Sequence, residues 1–184
     1  MGLQRALLAI IDVAALVFVV GVALAYHVDT IITWSLPLVP VSLVMNAFFG
    51  GPILALASWA IAGYAVSAHR QRLLLAPTAA TLFVNAGIYV ALGLQLNGME
   101  NELASVQQLV PTYWLHLSLF VALSAVGLAV AWFATGKERS GDPATAYCGQ
   151  TRWLFAGASL FVLAAIFVMR FTFYMTHLTL GLGV

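Results

Sequence analysis

The loop cations fall on alternate sides of five apolar stretches, and this alternation limits what the sequence can fold into more than any motif in it. Arg5 precedes the first stretch, Arg70 and Arg72 separate the second from the third, and Lys137, Arg139 and Arg152 separate the fourth from the fifth. The intervening loops hold Asp29, Glu100 and Glu102 and no Lys or Arg. Cytoplasmic loops of membrane proteins carry the excess of Lys and Arg, so the pattern predicts a multi-pass membrane protein with its N-terminus inside and its C-terminus outside.

The stretches are Ala6–Tyr26, Pro40–Tyr64, Leu73–Leu96, Tyr113–Phe133 and Trp153–Tyr174. Each is long enough to cross a hydrocarbon core of roughly 30 Å as a helix of about 20 residues. The expected architecture is therefore an all-α bundle of five transmembrane helices forming a single domain over residues 1–184. Tyr26, Trp34, Tyr113, Trp114 and Tyr174 fall near the expected outer ends and Trp132 and Trp153 near the inner ones, as interfacial aromatics do. The first span exceeds the apolar core of a secretion signal and lacks a small-residue cleavage site, so it is expected to be retained.

Hydrophobic residues make up 63% of the sequence and charged ones 7%, more apolar surface than a water-facing fold of this size can bury. A net charge of +1 gives no basic surface for nucleic acid, and no loop is long enough for a separate catalytic domain. Cys148 is the only cysteine, which rules out an intrachain disulfide and a cluster held by this protein's thiolates alone.

Within the spans, Gly50-Gly51-Pro52 interrupts the second, and a proline there predicts a kink near Phe48–Gly51, lining a ligand slot or serving packing. The outer loop between the third and fourth spans predicts a short interfacial helix over 100–109. Ionisable groups inside spans are costly and start as functional candidates; they reduce to Asp12 and Arg170. Asn46, Asn85 and Gln95 read as buried polar groups that tie helices together. His27, His116 and His177 all lie toward the outer side, but only His116 sits within a span, which leaves no pair at matched depth to ligate a haem. A transporter reading would rest on the kink and Asp12, yet the other spans have no matching Gly–Pro break.

Three segments taken in order carry a family resemblance. They are Thr33-Trp34-Ser35-Leu36-Pro37 running on to Phe49-Gly50-Gly51-Pro52, then Ser105 to Tyr113, then Arg170-Phe171-Thr172-Phe173-Tyr174 followed by His177, Thr179 and Gly181. Together they resemble the membrane anchor subunit of dimethyl sulfoxide reductase-type complexes across essentially the whole sequence. Members of that family are described with eight spanning helices, and this sequence resembles the C-terminal five.

The resemblance implies an anchor that binds no cofactor itself. It holds a catalytic molybdopterin subunit and an iron–sulfur subunit at the cytoplasmic membrane of a prokaryote, and passes them electrons from menaquinol in anaerobic respiration. The alternative is a truncated anchor acting as a structural or assembly protein without a quinol site. Quinol oxidation needs an apolar slot, hydrogen-bond partners for the ring oxygens and a proton acceptor. On that requirement the quinol-binding candidates are Arg170, His177 and Asp12. Arg170 is set to bind a ring oxygen, to pair with Glu100 or Glu102, or to snorkel. His177, seven positions on, shares its face if the helix continues. Asp12 accepts a proton or bonds a neighbouring helix. The loops 136–152 and 97–112 are the two surfaces on which partners can dock, on opposite sides of the membrane.

Overall fold

A computed structural model describes residues 2–26, 29–64, 66–101, 104–135 and 149–178. Five long helices account for most of it: α1 Gly2–Ala25, α2 Leu38–Ile61, α3 Ala68–Leu96, α5 Tyr113–Ala134 and α6 Gly149–Met175, with a single turn α4 Val106–Leu109 between α3 and α5. All five are long and apolar enough to span a membrane. Among the described residues there is no strand, only an isolated bridge between Glu100 and Ser105.

The sequence makes the packing of α3 and α5 easy to follow. On α3, Gln71, Leu75, Thr78, Leu82, Asn85, Tyr89, Leu92 and Leu96 are all buried, at alternating spacings of four and three. On α5 the same rhythm gives Leu117, Phe120, Ser124, Gly127, Ala131 and Ala134. Such a repeat keeps one stripe of a helix facing its neighbours over its whole length. The core of the bundle lies where these stripes meet α2 and α6, around Phe49, Ile53, Phe120, Phe155 and Met169. Phe120 stands edge-on to both Phe49 and Tyr89, with ring centroids 6.1 Å and 5.2 Å away.

Hydrophobic burial does not drive helices together in lipid, so close backbone approach carries more of the packing. Gly127 is the clearest case. A Cβ there would stand 2.9 Å from the carbonyl oxygen of Ala158, so α5 and α6 touch almost backbone to backbone. Gly50 of α2 is similarly covered by Ile166 of α6, whereas a Cβ on Gly51 would meet nothing within 4 Å. α2 continues as helix through Pro52 from Leu38 to Ile61. The Gly–Gly–Pro element is thus explained by helix contact on its buried side.

The long helices begin at or before the expected starts of the apolar stretches. α3 begins at Ala68, five residues before the apolar run, and so takes in His69, Arg70 and Arg72. Hydropathy marks where a helix leaves lipid, while helical hydrogen bonding extends through Arg and Gln as readily as through Leu. The short helix of the loop is smaller than the expected 100–109. It begins only at Val106 because Ser105 caps it, its hydroxyl accepting from the backbone of Gln108 while the Gln108 side group accepts from the backbone of Ser105.

α1 stands apart. It packs chiefly on α2, and Ala23 is its one buried residue.

Candidate functional site

The segments around Thr33, Ser105 to Tyr113 and Arg170 are far apart in sequence and meet at one end of the bundle. Thr33 donates its hydroxyl to the carbonyl of Thr176 at 2.7 Å, and the amide of Ile32 donates to the carbonyl of Leu178 at 3.2 Å. Leu178 in turn packs with Leu96 and Val106 in a small apolar cluster that Leu36, Leu109 and Tyr113 border. Two threonines thus fasten the start of α2 to the end of α6, and the capped turn α4 closes over them.

Arg170, on the last turns of α6, is held by rings. Its guanidinium carbon lies 4.5 Å from the ring centroid of Phe173, 4.8 Å from that of Tyr26 and 5.6 Å from that of Tyr174. Trp34 stacks on Phe173 at 4.9 Å, and the hydroxyls of Tyr26 and Tyr174 hydrogen-bond to each other. A cation over aromatic faces is stabilised by the ring quadrupoles, more so where water is excluded. Among the described residues Arg170 forms no ion pair with a carboxylate; Glu100 is exposed, and Glu102 lies outside the described residues. Its Nη2 is buried without a hydrogen-bond partner, and so is Nε1 of Trp34.

Beneath Arg170 is a cavity of about 20 Å³, bordered by Thr33, Ser42, Tyr89, Tyr113 and Thr176. One water needs about 10–15 Å³ on that measure, so the cavity is of water size. Tyr113 also lines a larger groove of about 360 Å³, with Leu96, Val106, Gln107, Pro111 and Trp114 around it. That volume falls in the range of small-molecule sites, roughly 300–1,000 Å³. Tyr113 therefore stands between the groove and the Arg170 cavity, fixed by its hydroxyl, which donates to the Tyr89 carbonyl at 2.7 Å.

A polar relay leads from the cavity into the bundle. Asn46 of α2 donates to the Tyr89 hydroxyl at 2.8 Å, and Asn85 of α3 donates to the Asn46 carbonyl oxygen at 2.7 Å. Asn46 and Asn85 thus link α2 to α3, the role expected of them. Gln95 does not join them: it lies on an exposed side of α3 near its end. His116 is held between Thr172 of α6, 2.9 Å from its Nδ1, and Thr112, 3.4 Å from its Nε2. His27 and Cys148 lie outside the described residues.

The three residues singled out from sequence are not gathered in one place. Arg170 borders the cavity. His177 is at the same end but exposed and beyond α6, which stops at Met175, so it does not continue the helical face of Arg170. Asp12 is exposed on α1, about 20 Å along the helix from its Ala25 end. Tyr89 was missed by sequence reasoning, and Tyr113 was read only as an interfacial aromatic closing the outer-loop segment. Neither reading gives the hydrogen bond, since only helix packing brings a partner to each hydroxyl. No three His, Cys, Asp or Glu residues come together as a metal site among the described residues.

Comparison with known proteins agrees with the resemblance. The sequence is 28% identical over 173 residues to the C subunit of the anaerobic dimethyl sulfoxide reductase of Escherichia coli (strain K12), an alignment covering 94% of this protein and 56% of the relative. The protein is similar to that reductase subunit along nearly its whole sequence. It spans little more than half the relative's length. No family model matches, and no solved structure matches.

Proposed function

We propose that this protein is a membrane anchor subunit of a dimethyl sulfoxide reductase-type complex. In this reading it lies in the cytoplasmic membrane of a prokaryote with its N-terminus inside, and holds a molybdopterin-containing catalytic subunit and an iron–sulfur subunit. It delivers to them electrons from menaquinol. The observation that carries the reading is similarity to the reductase C subunit along 94% of the sequence. The convergence of the three resembling segments at one end of the bundle, where Thr33, Tyr113 and Arg170 border one small cavity, supports it.

The groove beside Tyr113 is the proposed slot for the quinol ring. Arg170 offers a buried, unpaired N–H for a ring oxygen, given access past Tyr113. His177, exposed at the same end, is the proposed proton acceptor. Asp12 is too distant to touch a ring in that groove, and a role for it in quinol chemistry would be in carrying a proton onward. The quinol supplies two electrons and two protons; the anchor's part is to orient the ring, exclude water and receive protons.

The water-sized volume of the cavity at Arg170 favours a second reading, in which the protein anchors or assembles partners without binding quinol. The test of the anchor reading is to tag the protein in its native host grown without oxygen, purify it in mild detergent and measure copurifying proteins, molybdenum and iron. Two further subunits with both metals are expected; a protein recovered alone and metal-free overturns the reading. A quinol analogue bound by the purified complex separates the quinol-oxidising anchor from the purely structural one.

A further inference from the structure

α1 carries Arg5, Asp12 and Val19 at seven-residue spacing, and Tyr26, immediately after its end, continues the series. Seven residues come within about 20° of two helical turns, so these four form one stripe. The stripe is packed at one end and bare at the other. Val19 and Tyr26 are partly buried, and Ala23 beside them is fully so, while Arg5 and Asp12 are exposed together with Leu8 and Ala15 that flank them. The face that meets the bundle near Ala23 therefore loses contact toward Gly2, although it is the same face.

Asp12 sits about 15 Å along this helix from Gly2, near its middle. A carboxylate has no long apolar stem with which to reach an interface, as Lys and Arg do. Among the described residues nothing pairs with it. Lipid tails offer no hydrogen-bond donor, and ionisable groups at that depth face protein or a water-filled space.

We propose that the Gly2 half of this stripe is the docking face for a membrane-spanning helix from outside these 184 residues, one that brings a Lys or Arg to the depth of Asp12. An ionised carboxylate only accepts hydrogen bonds, and a cationic donor both satisfies and neutralises it. A second copy of this protein fits less well, because a symmetric contact would oppose two Asp12 carboxylates. Ala9 and Ala15, on either side of Asp12, are small enough for a neighbouring backbone to approach closely. The inference goes beyond the anchor reading and does not depend on the electron donor or acceptor.

The experiment places a photo-reactive residue at Leu8 or Ala15 in native membranes, with Ile10 and Val17 on the opposite side of α1 as controls. Leu8 and Ala15 should give one protein adduct that the controls lack, and its mapped peptide should be an apolar stretch of about 20 residues containing Lys or Arg. Asp12→Leu should lower the yield at least tenfold without loss of the protein from alkali-washed membranes, and the near-isosteric Asp12→Asn should lower it too. Adducts with lipid only, with a second copy, or with a helix lacking Lys and Arg overturn the proposal. So do equal yields at the control positions, or yields that Asp12→Leu or Asp12→Asn leave unchanged.

Discussion

The hydroxyl of Thr33 donates to the backbone carbonyl of Thr176 across 2.7 Å, joining positions 143 residues apart in the sequence. Thr33 is 1% exposed and Thr176 2%, so the bond is shielded from solvent and anything that breaks it strands a buried carbonyl. Replacing Thr33 by the similarly shaped Val is expected to cost about 1–2 kcal/mol, the penalty of an unsatisfied buried polar group. Thermal unfolding in detergent reads this, and an unchanged midpoint would show that the two ends are held together by other contacts.

Asn46 and Asn85 offer a second test. Replacing either by Leu leaves a buried amide or hydroxyl partner unpaired, and the pair should show a coupling of about 0.6 kcal/mol and at most about 1.7 in a double-mutant cycle, as interhelical hydrogen bonds do in lipid. Additive single effects would mean that the Asn46–Asn85 bond adds nothing to the link between α2 and α3.

The glycines predict an order. Gly127→Ala pushes a methyl against the carbonyl of Ala158, which belongs to a helix backbone and cannot swing aside, so a loss of about 1–3 kcal/mol is expected. Gly50→Ala meets the end of the Ile166 side group, which can turn away, and should cost less. Gly51→Ala meets open space and should be neutral or stabilising by up to about 1 kcal/mol through helix propensity. Unfolding midpoints of the three variants in one detergent check the ranking.

Arg170→Ala should lower quinol-dependent reduction by the assembled complex at least about tenfold, the loss of one charge-assisted hydrogen bond, while a dye that feeds the catalytic subunits directly is reduced as before. Arg170→Lys keeps the charge but not the planar face against Tyr26 and Phe173, and should restore little. If quinol and dye activities fall together, Arg170 serves assembly and not the quinol.

The five helices were legible because lipid requires long uncharged runs, and that requirement is written residue by residue. Their ends were less so: nothing in the hydropathy of His69-Arg70-Gln71-Arg72 shows that α3 already began at Ala68. Asn46 and Asn85 could be read as helix ties from their place in apolar spans. Gln95, with the same chemistry, faces outward because it lies one residue from the end of α3, where an amide can reach polar surroundings. His177 followed Arg170 at helical spacing only while the helix was taken to continue past Met175. Tyr89 carried no sequence signal and Tyr113 only that of an interfacial aromatic, since each acquires its hydrogen bond from a residue at least 24 positions away.

With its one buried residue at Ala23, α1 is fastened like a cantilever, clamped near Tyr26 and unsupported toward Gly2. Small angles at the clamp become large excursions at the tip: at 1.5 Å of rise per residue, a swing of about 10° about Ala23 carries Asp12 roughly 3 Å and Gly2 roughly 5 Å. Whatever seats itself along the open length fixes that angle. Tyr26, whose ring lies 4.8 Å from the Arg170 guanidinium carbon, stands at the clamped end.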